Sequence, residues 1–213
     1  MLIQFSKNLT TPIRSMLIAF SCSMLLNACT STAPTKRADI PVAPQAQAEY
    51  QRAVLAMKSG QTKRAFNLFY SLSKKYPGFA GPQLNIGLLY LQSNYLSKAE
   101  KAFKQAIQIN SDNAVGYNLL GIVYRRNGKF SEAKEAYQQA LSKNAQYANA
   151  HLNLGILYDL YMNDLNRALH HYEQYQVFNG TTDKKVAQWI TDLKRRTKEK
   201  HSSLTNLLGD ANG

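Results

Sequence analysis

Cysteine is nearly missing from this chain. The two present in 213 residues, Cys22 and Cys29, are too few for a disulfide framework and lack the CxxC spacing of a redox pair or zinc knuckle. Acid is scarce as well: 13 Asp and Glu stand against 26 Lys and Arg, a formal net charge of +13. There is no GxSxG elbow, no HExxH pair and no Walker glycine loop, and the close glycines Gly78 and Gly81 have no strand before them. His151, His170, His171 and His201 are the only histidines. With no cysteine or carboxylate pattern beside them they predict no metal site, and a catalytic class survives only if they converge in the fold. Glu132, Glu135 and Glu173 read as surface charges on helices rather than an acid–base pair. The chain is therefore expected not to be an enzyme and to need no cofactor beyond a covalent lipid. No apolar run reaches the roughly 20 residues of a membrane span.

What is present is a period. Gly87 and Gly121 lie 34 residues apart, as do Tyr90 and Tyr124, Ala99 and Ala133, Phe103 and Tyr137, and Ala106 and Ala140. The grid extends forward to Gly155 and Tyr158 and back to Ala65 and Phe69, giving four copies beginning near Ala46, Ala80, Ala114 and Ala148. Within a copy, Ile86, Leu89 and Tyr90 recur at helical spacing. After a break at Gln92-Ser93-Asn94, so do Leu96, Ala99, Phe103, Ala106 and Ile107. Each copy is thus a helical hairpin. Gly87, Gly121 and Gly155 fall in mid-helix, where Gly costs about 1 kcal/mol against Ala, and predict a close helix crossing. Gly60 and Gly128 fall at the turn instead. Ser97 with Glu100 predicts a capping box, and Thr62, Ser131 and Asn166 similar helix starts. The first copy departs from the pattern at Ala53 and Ala56, and the fourth carries one extra residue near 161–164.

The order of small and aromatic positions resembles the tetratricopeptide repeat. The resemblance implies an all-α superhelical array of about four hairpins over residues 49–180. Val186, Trp189, Ile190 and Leu193 form one apolar stripe, so residues 181–200 are expected to be a capping helix and 201–213 a flexible tail.

Residues 1–28 hold no acid, carry Lys7 and Arg14, and run apolar through 16–26, the pattern of a secretory signal. Leu26-Asn27-Ala28-Cys29 resembles the bacterial lipobox, which implies a diacylated Cys29 at a new N-terminus and leaves +11 once Lys7 and Arg14 are removed. An ordinary signal peptide cleaved near Ala28, with Cys29 a free thiol, is the alternative; both export the chain. Several acyl chains would hold a domain on a bilayer firmly. By resemblance to Gram-negative lipoproteins, Thr30 after the cysteine implies the outer membrane, with the periplasmic side expected. Residues 29–48, with Pro34, Pro41 and Pro44, read as an extended tether.

In an exported chain the positive charge implies lipid head groups, wall carboxylates or acidic proteins as counterparts rather than nucleic acid. The resemblance places the first helices on a concave face, where Asn85, Leu88, Asn118, Ile122, Arg125, Asn153 and Ile156 become candidate protein-binding residues. Asn118 falls one place earlier in its copy than the other two asparagines. The aliphatic part of this stripe can equally pack between neighbouring first helices. The basic residues Lys194, Arg195 and Arg196 of the cap helix form a second candidate surface. The function expected is a protein-binding adaptor on the outer membrane, holding a periplasmic or outer-membrane protein during envelope assembly. Its plan is similar to the pilotin lipoproteins of type IV pili and to repeat lipoproteins beside Tol- or Ton-like motors. The alternative is a regulator that docks peptidoglycan synthases or hydrolases. Oligomeric state is left open.

Overall fold

The computed structural model describes residues 43–210, with side chains as far as 200; the expected signal segment and most of the expected tether lie outside them. Among the described residues there are helices and no strands. Four hairpins follow one another: α1 (Pro44–Lys58) with α2 (Thr62–Lys75), α3 (Ala80–Gln92) with α4 (Leu96–Ile109), α5 (Ala114–Arg126) with α6 (Phe130–Lys143), and α7 (Ala148–Leu160) with α8 (Leu165–Phe178). A ninth helix, α9 (Lys184–Asp210), packs on α8. Each hairpin also packs on the next, and the first helices α3, α5 and α7 touch in sequence. None of these helices is long and apolar enough to cross a membrane.

The mid-helix glycines are explained by what faces them. A Cβ added at Gly87 would lie 2.5 Å from the Phe103 ring, one at Gly121 2.5 Å from the Tyr137 ring, and one at Gly155 2.4 Å from the Tyr172 ring. The three rings are essentially sealed from solvent. Removing the Cβ lets the second helix push a whole aromatic ring against the first helix, and that burial offsets the helix-propensity cost of Gly. Ala53 stands at this position in the first hairpin, and there Ala53 and Phe69 are both fully buried, so a methyl group is accommodated.

Each turn within a hairpin holds one left-handed residue two places before the second helix. Gly60 and Gly128 have φ of +71° and +72°, and Asn94 and Asn163 take the same left-handed conformation at +60° and +52°. Asn is the L-residue that best tolerates it, so the second hairpin makes with Asn the turn that the first and third make with Gly, and the fourth uses Asn163 in a turn one residue longer.

Several boundaries differ from the sequence reading. α1 begins at Pro44 rather than near residue 49, with proline in the first turn, where its fixed φ is compatible with a helix. The helix starts expected at Thr62, Ser97, Ser131 and Asn166 lie inside the first turn, because the preceding positions are Gln61, Tyr95, Lys129 and Asp164. Of these only Asp164 caps with its side chain, accepting from the Arg167 amide at 3.0 Å. The others are held by hairpin packing. α9 runs on to Asp210, past the end expected at 200. It is opened by Asp183, whose carboxylate accepts from the amides of Lys185 and Val186; the Val186 amide, followed by the Tyr175 hydroxyl, holds it below the usual carboxylate range.

The ends of the array show its one-dimensional logic. Leu89, Val123 and Leu157 are buried against the preceding hairpin, whereas Leu55, at the same position of α1, is 62 % exposed. At the other end Val186 and Leu193 are buried by α8, and Trp189 packs half-buried on Tyr172 with ring centroids 5.3 Å apart.

Gly121→Ala drives a methyl into Tyr137 at the centre of the array, so it should lower unfolding free energy by about 1–3 kcal/mol. Ala53→Gly should cost only about 1 kcal/mol, the intrinsic price of Gly in a helix. Urea denaturation followed by circular dichroism measures both.

Candidate functional site: the face of the first helices

The candidate surface is built by α3, α5 and α7. Leu84 and Leu88, Leu119 and Ile122, and Leu152 and Ile156 lie three or four residues apart on these helices and are half-buried. They pack against the hydrophobic clusters between hairpins and still present an edge to solvent. The result is an aliphatic ridge that is continuous from one repeat to the next.

The three asparagines are engaged along that face. Asn85 donates to the Tyr50 hydroxyl at 2.6 Å and to the Gly81 carbonyl at 3.0 Å. Asn153 donates to Asn118 Oδ1 at 2.9 Å, and Asn118 is only 3 % exposed. Both cross-helix bonds join residues 35 apart, one repeat plus one residue. The displaced register of Asn118 is therefore what brings it opposite Asn153. A third bond at this spacing runs from Arg126 Nη1 to the Leu91 carbonyl at 3.0 Å, while Nη2 reaches Asn94 Oδ1 at 2.9 Å. These groups orient one first helix on the next, with the amide nitrogens of Asn85 and Asn153 and the amide oxygen of Asn118 engaged in doing so. Arg125, on the same helix as Ile122, lies over the Tyr161 ring at 5.9 Å and donates weakly to the Tyr137 hydroxyl at 3.4 Å.

The basic trio of α9 is likewise engaged. Arg196 donates to Asp159 of α7 at 3.0 Å, and the Asp159 side chain is only 11 % exposed. Lys194 pairs with Glu173 of α8 at 2.8 Å, and Arg195 with Asp192 and Glu199 of its own helix at 2.7 and 2.8 Å. Burial, with the Asp159 carboxylate adding to it, pushes the Tyr172 hydroxyl well above its usual range. The Arg196–Asp159 and Lys194–Glu173 pairs hold α9 across the end of the last hairpin.

Three histidines do converge. His151 Nε2 lies 3.0 Å from the Ala145 carbonyl and must donate to it, which leaves His151 Nδ1 as an acceptor. His171 Nδ1 lies 3.0 Å from that nitrogen and must be the donor. A neutral pair meets both contacts with one proton on each ring, and two cationic rings could not meet them. Burial lowers the pKa of both, to about 4 for His171, with the neighbouring His151 and His170 adding to the effect there. Three of the four nitrogens of the pair are thereby used, and no cluster of metal-ligating side chains occurs among the described residues. The sequence showed the four histidines but gave no sign of this pairing, which joins α7 to α8.

Family models of the tetratricopeptide repeat match residues 47–78, 80–113 and 102–135, and a further repeat model of the same kind matches 123–160. No curated protein is similar enough in sequence to match. Among solved structures, the MamA protein superposes with a TM-score of 0.61 at 19 % identity over 75 % of this chain and 86 % of that one. PilF of Pseudomonas aeruginosa gives 0.65 at 20 % identity over 72 % and 69 %. The first repeat domain of Spaghetti, bound to the HSP90 peptide SRMEEVD, gives 0.52 at 17 % over 56 % and 94 %. At these identities the likeness is one of fold.

Asn118→Ala leaves the Asn153 amide without its partner in a buried seam, so it should cost about 1–3 kcal/mol and lower the melting temperature. The histidine pair gives a pH dependence of defined sign. Its folded pKa values lie below the ordinary value of 6.5, so the unfolded chain takes up protons first. The pair's contribution to stability is fully present above pH 6.5 and is lost as pH falls towards about 4. Melting temperatures measured from pH 7.5 to 4 should fall less steeply in His171→Phe than in the parent.

Proposed function

Because the chain belongs to the tetratricopeptide repeat family, we propose that it is a non-catalytic adaptor, anchored to the periplasmic side of the outer membrane by lipid on Cys29. On the ridge of its first helices it holds a segment of a periplasmic or outer-membrane protein. The repeat fold is typically a non-catalytic protein-binding scaffold, and proteins of this fold bind protein partners, as the peptide complex of Spaghetti illustrates. The anchor rests on Leu26-Asn27-Ala28-Cys29 after the apolar leader. A plan similar to that of pilotins is what supports reading the adaptor's role as assembly of an envelope machine such as a pilus.

The observation that carries the binding surface is the repetition of a half-buried aliphatic edge at Leu88, Ile122 and Ile156. Such edges give up their remaining water when an apolar side chain covers them, at about 25 cal/mol per Å². The seam asparagines and Arg126 keep the helices in register, so the three edges form a fixed line. An extended segment can then meet them in turn without ordering the receptor, which reduces the cost of binding.

Cys29→Ala should shift the protein out of the outer-membrane fraction and abolish metabolic labelling with palmitate. Unchanged labelling and fractionation refute the anchor. Purification of the lipidated protein with mass spectrometry identifies the bound proteins. Ile122→Ser should weaken their recovery about tenfold, equivalent to about 1.4 kcal/mol, while circular dichroism shows the array still folded. Recovery of peptidoglycan hydrolases or synthases would replace machine assembly with wall-enzyme regulation.

A further inference from the structure

The repeats serve as internal controls for one another, and one groove departs from the rest. Between α2 and α4, floored by α3, lies a recess of about 380 Å³. Phe66, Tyr70 and Lys74 are spaced i, i+4, i+8 along its α2 wall, and Lys98 and Lys101 are three apart on its α4 wall. The Phe66 and Tyr70 rings stack nearly parallel, 10° apart with centroids at 6.3 Å, and Phe66 meets the edge of Tyr90 at 5.4 Å. Tyr70 is 52 % exposed.

One repeat further on, the positions of Phe66 and Tyr70 hold Glu100 and Lys104, and those of Lys98 and Lys101 hold Glu132 and Glu135. Another repeat on, allowing for the one-residue insertion, they hold Lys134 and Gln138, then Arg167 and His170. Tyr90, by contrast, recurs as Tyr124 and Tyr158. The tyrosine that recurs belongs to the fold. The two added aromatics and the lysines facing them are not required by it, since hairpins without them pack in the same way.

The charge of this groove is uncompensated. α2 and α3 contain no acid, and the acid of α4, Glu100, is engaged by Lys104 at 2.7 Å. Lys98 lies over the rings of Tyr90 at 5.5 Å and Tyr95 at 5.1 Å, and Lys74 over Tyr70 at 5.5 Å. These ammonium groups rest on aromatic faces and meet no carboxylate. We propose that the α2/α4 groove is a second docking site, for an acidic protein segment carrying an aromatic or large aliphatic side chain. The apolar side chain enters between Phe66 and Tyr90, and flanking carboxylates pair with Lys74, Lys98 and Lys101. A bilayer surface does not enter a recess between two helices, whereas an extended chain does. The site faces away from the ridge of first helices and stands whether or not that ridge binds.

Fluorescence anisotropy with a labelled oligo-glutamate peptide bearing one central phenylalanine tests the site. The parent should bind it, more weakly as salt rises, and should not bind the glutamine analogue. Lys98→Glu with Lys101→Glu gives the α4 wall the charges that Glu132 and Glu135 give the α6 wall and should weaken binding at least about tenfold. Both lysines are exposed, so the melting curve should not move. Tyr70→Ser should weaken binding with little change in its salt dependence. Unchanged affinity in the double variant, or equal affinity for the glutamine peptide, overturns the proposal. So does tighter binding to phosphatidylglycerol vesicles or an oligothymidine with the same sensitivity to Lys98 and Lys101, since that assigns the groove to lipid or nucleic acid.

Discussion

The contact on which the array depends is an aromatic ring seated on a glycine. Phe103 on Gly87, Tyr137 on Gly121 and Tyr172 on Gly155 are the same contact made three times, each ring sealed from solvent and each within 2.5 Å of where a Cβ would stand. A ring in that position fixes how closely the two helices of a hairpin approach, and a regular approach lets each hairpin present the same surface to the next. The remaining core residues fill the space that this contact defines. Tyr137 and Tyr172 also carry hydroxyls to the far side, where Arg125 and Asp159 meet them. The packing centre of a hairpin and the polar groups near the first-helix face are thus parts of one side chain.

The fold was legible because its cause is periodic. Spacing alone located the hairpins, the mid-helix glycines and the turns at Gly60 and Gly128. The turns at Asn94 and near Asn163 were located too, but the left-handed conformation of the two asparagines was not read from them, although Asn94 lies 34 residues from each of those glycines. Helix starts were less legible, because Ser97 with Glu100 imitates a capping box while packing holds α4 from Tyr95. Pro44 was read as tether because proline-rich composition and a helix beginning with proline look alike from one side. The asparagines show the limit most clearly. An amide on a first helix suits a ligand's backbone or a neighbouring helix equally well, and the 35-residue stagger is what supplies the neighbouring-helix partner. That stagger was present in the one-place displacement of Asn118, but its meaning depends on how far one helix slides along the next.

Charge is spent unevenly along the chain. In the last third, Asp159, Glu173, Asp192 and Glu199 each meet an arginine or lysine of α9, so the most basic stretch of sequence is also the most internally paired. Most of these pairs are exposed and contribute little to stability individually, about 0–1 kcal/mol. Arg196 with Asp159 is the exception, because loss of the arginine would leave a carboxylate uncompensated in a largely buried place. In the first third the proportions reverse. Before Glu100 the sequence holds only two acids, Asp39 and Glu49, and Glu49 is taken by Lys75 at 2.6 Å. The C-terminal helix carries its own acids beside its bases, whereas α2 has no acid and the one acid of α4, Glu100, is held by Lys104.

This asymmetry is compatible with a repeat architecture for a physical reason. Each hairpin is stabilised by its own ring-on-glycine contact and by the interfaces with its immediate neighbours. A lysine exchanged for a glutamate on the solvent side of α4 or α6 alters neither. The fold therefore constrains the seam positions, where Asn85, Asn118, Asn153 and Arg126 must find partners 35 residues away, and leaves the outer groove positions unconstrained. Residues that recur along the chain report on how it folds. Those that break the period while facing solvent, such as Phe66, Tyr70, Lys98 and Lys101, carry the chemical differences between one groove and the next. In an array whose ridge is nearly the same in every repeat, such differences determine where along its length a partner with charge and an aromatic group settles.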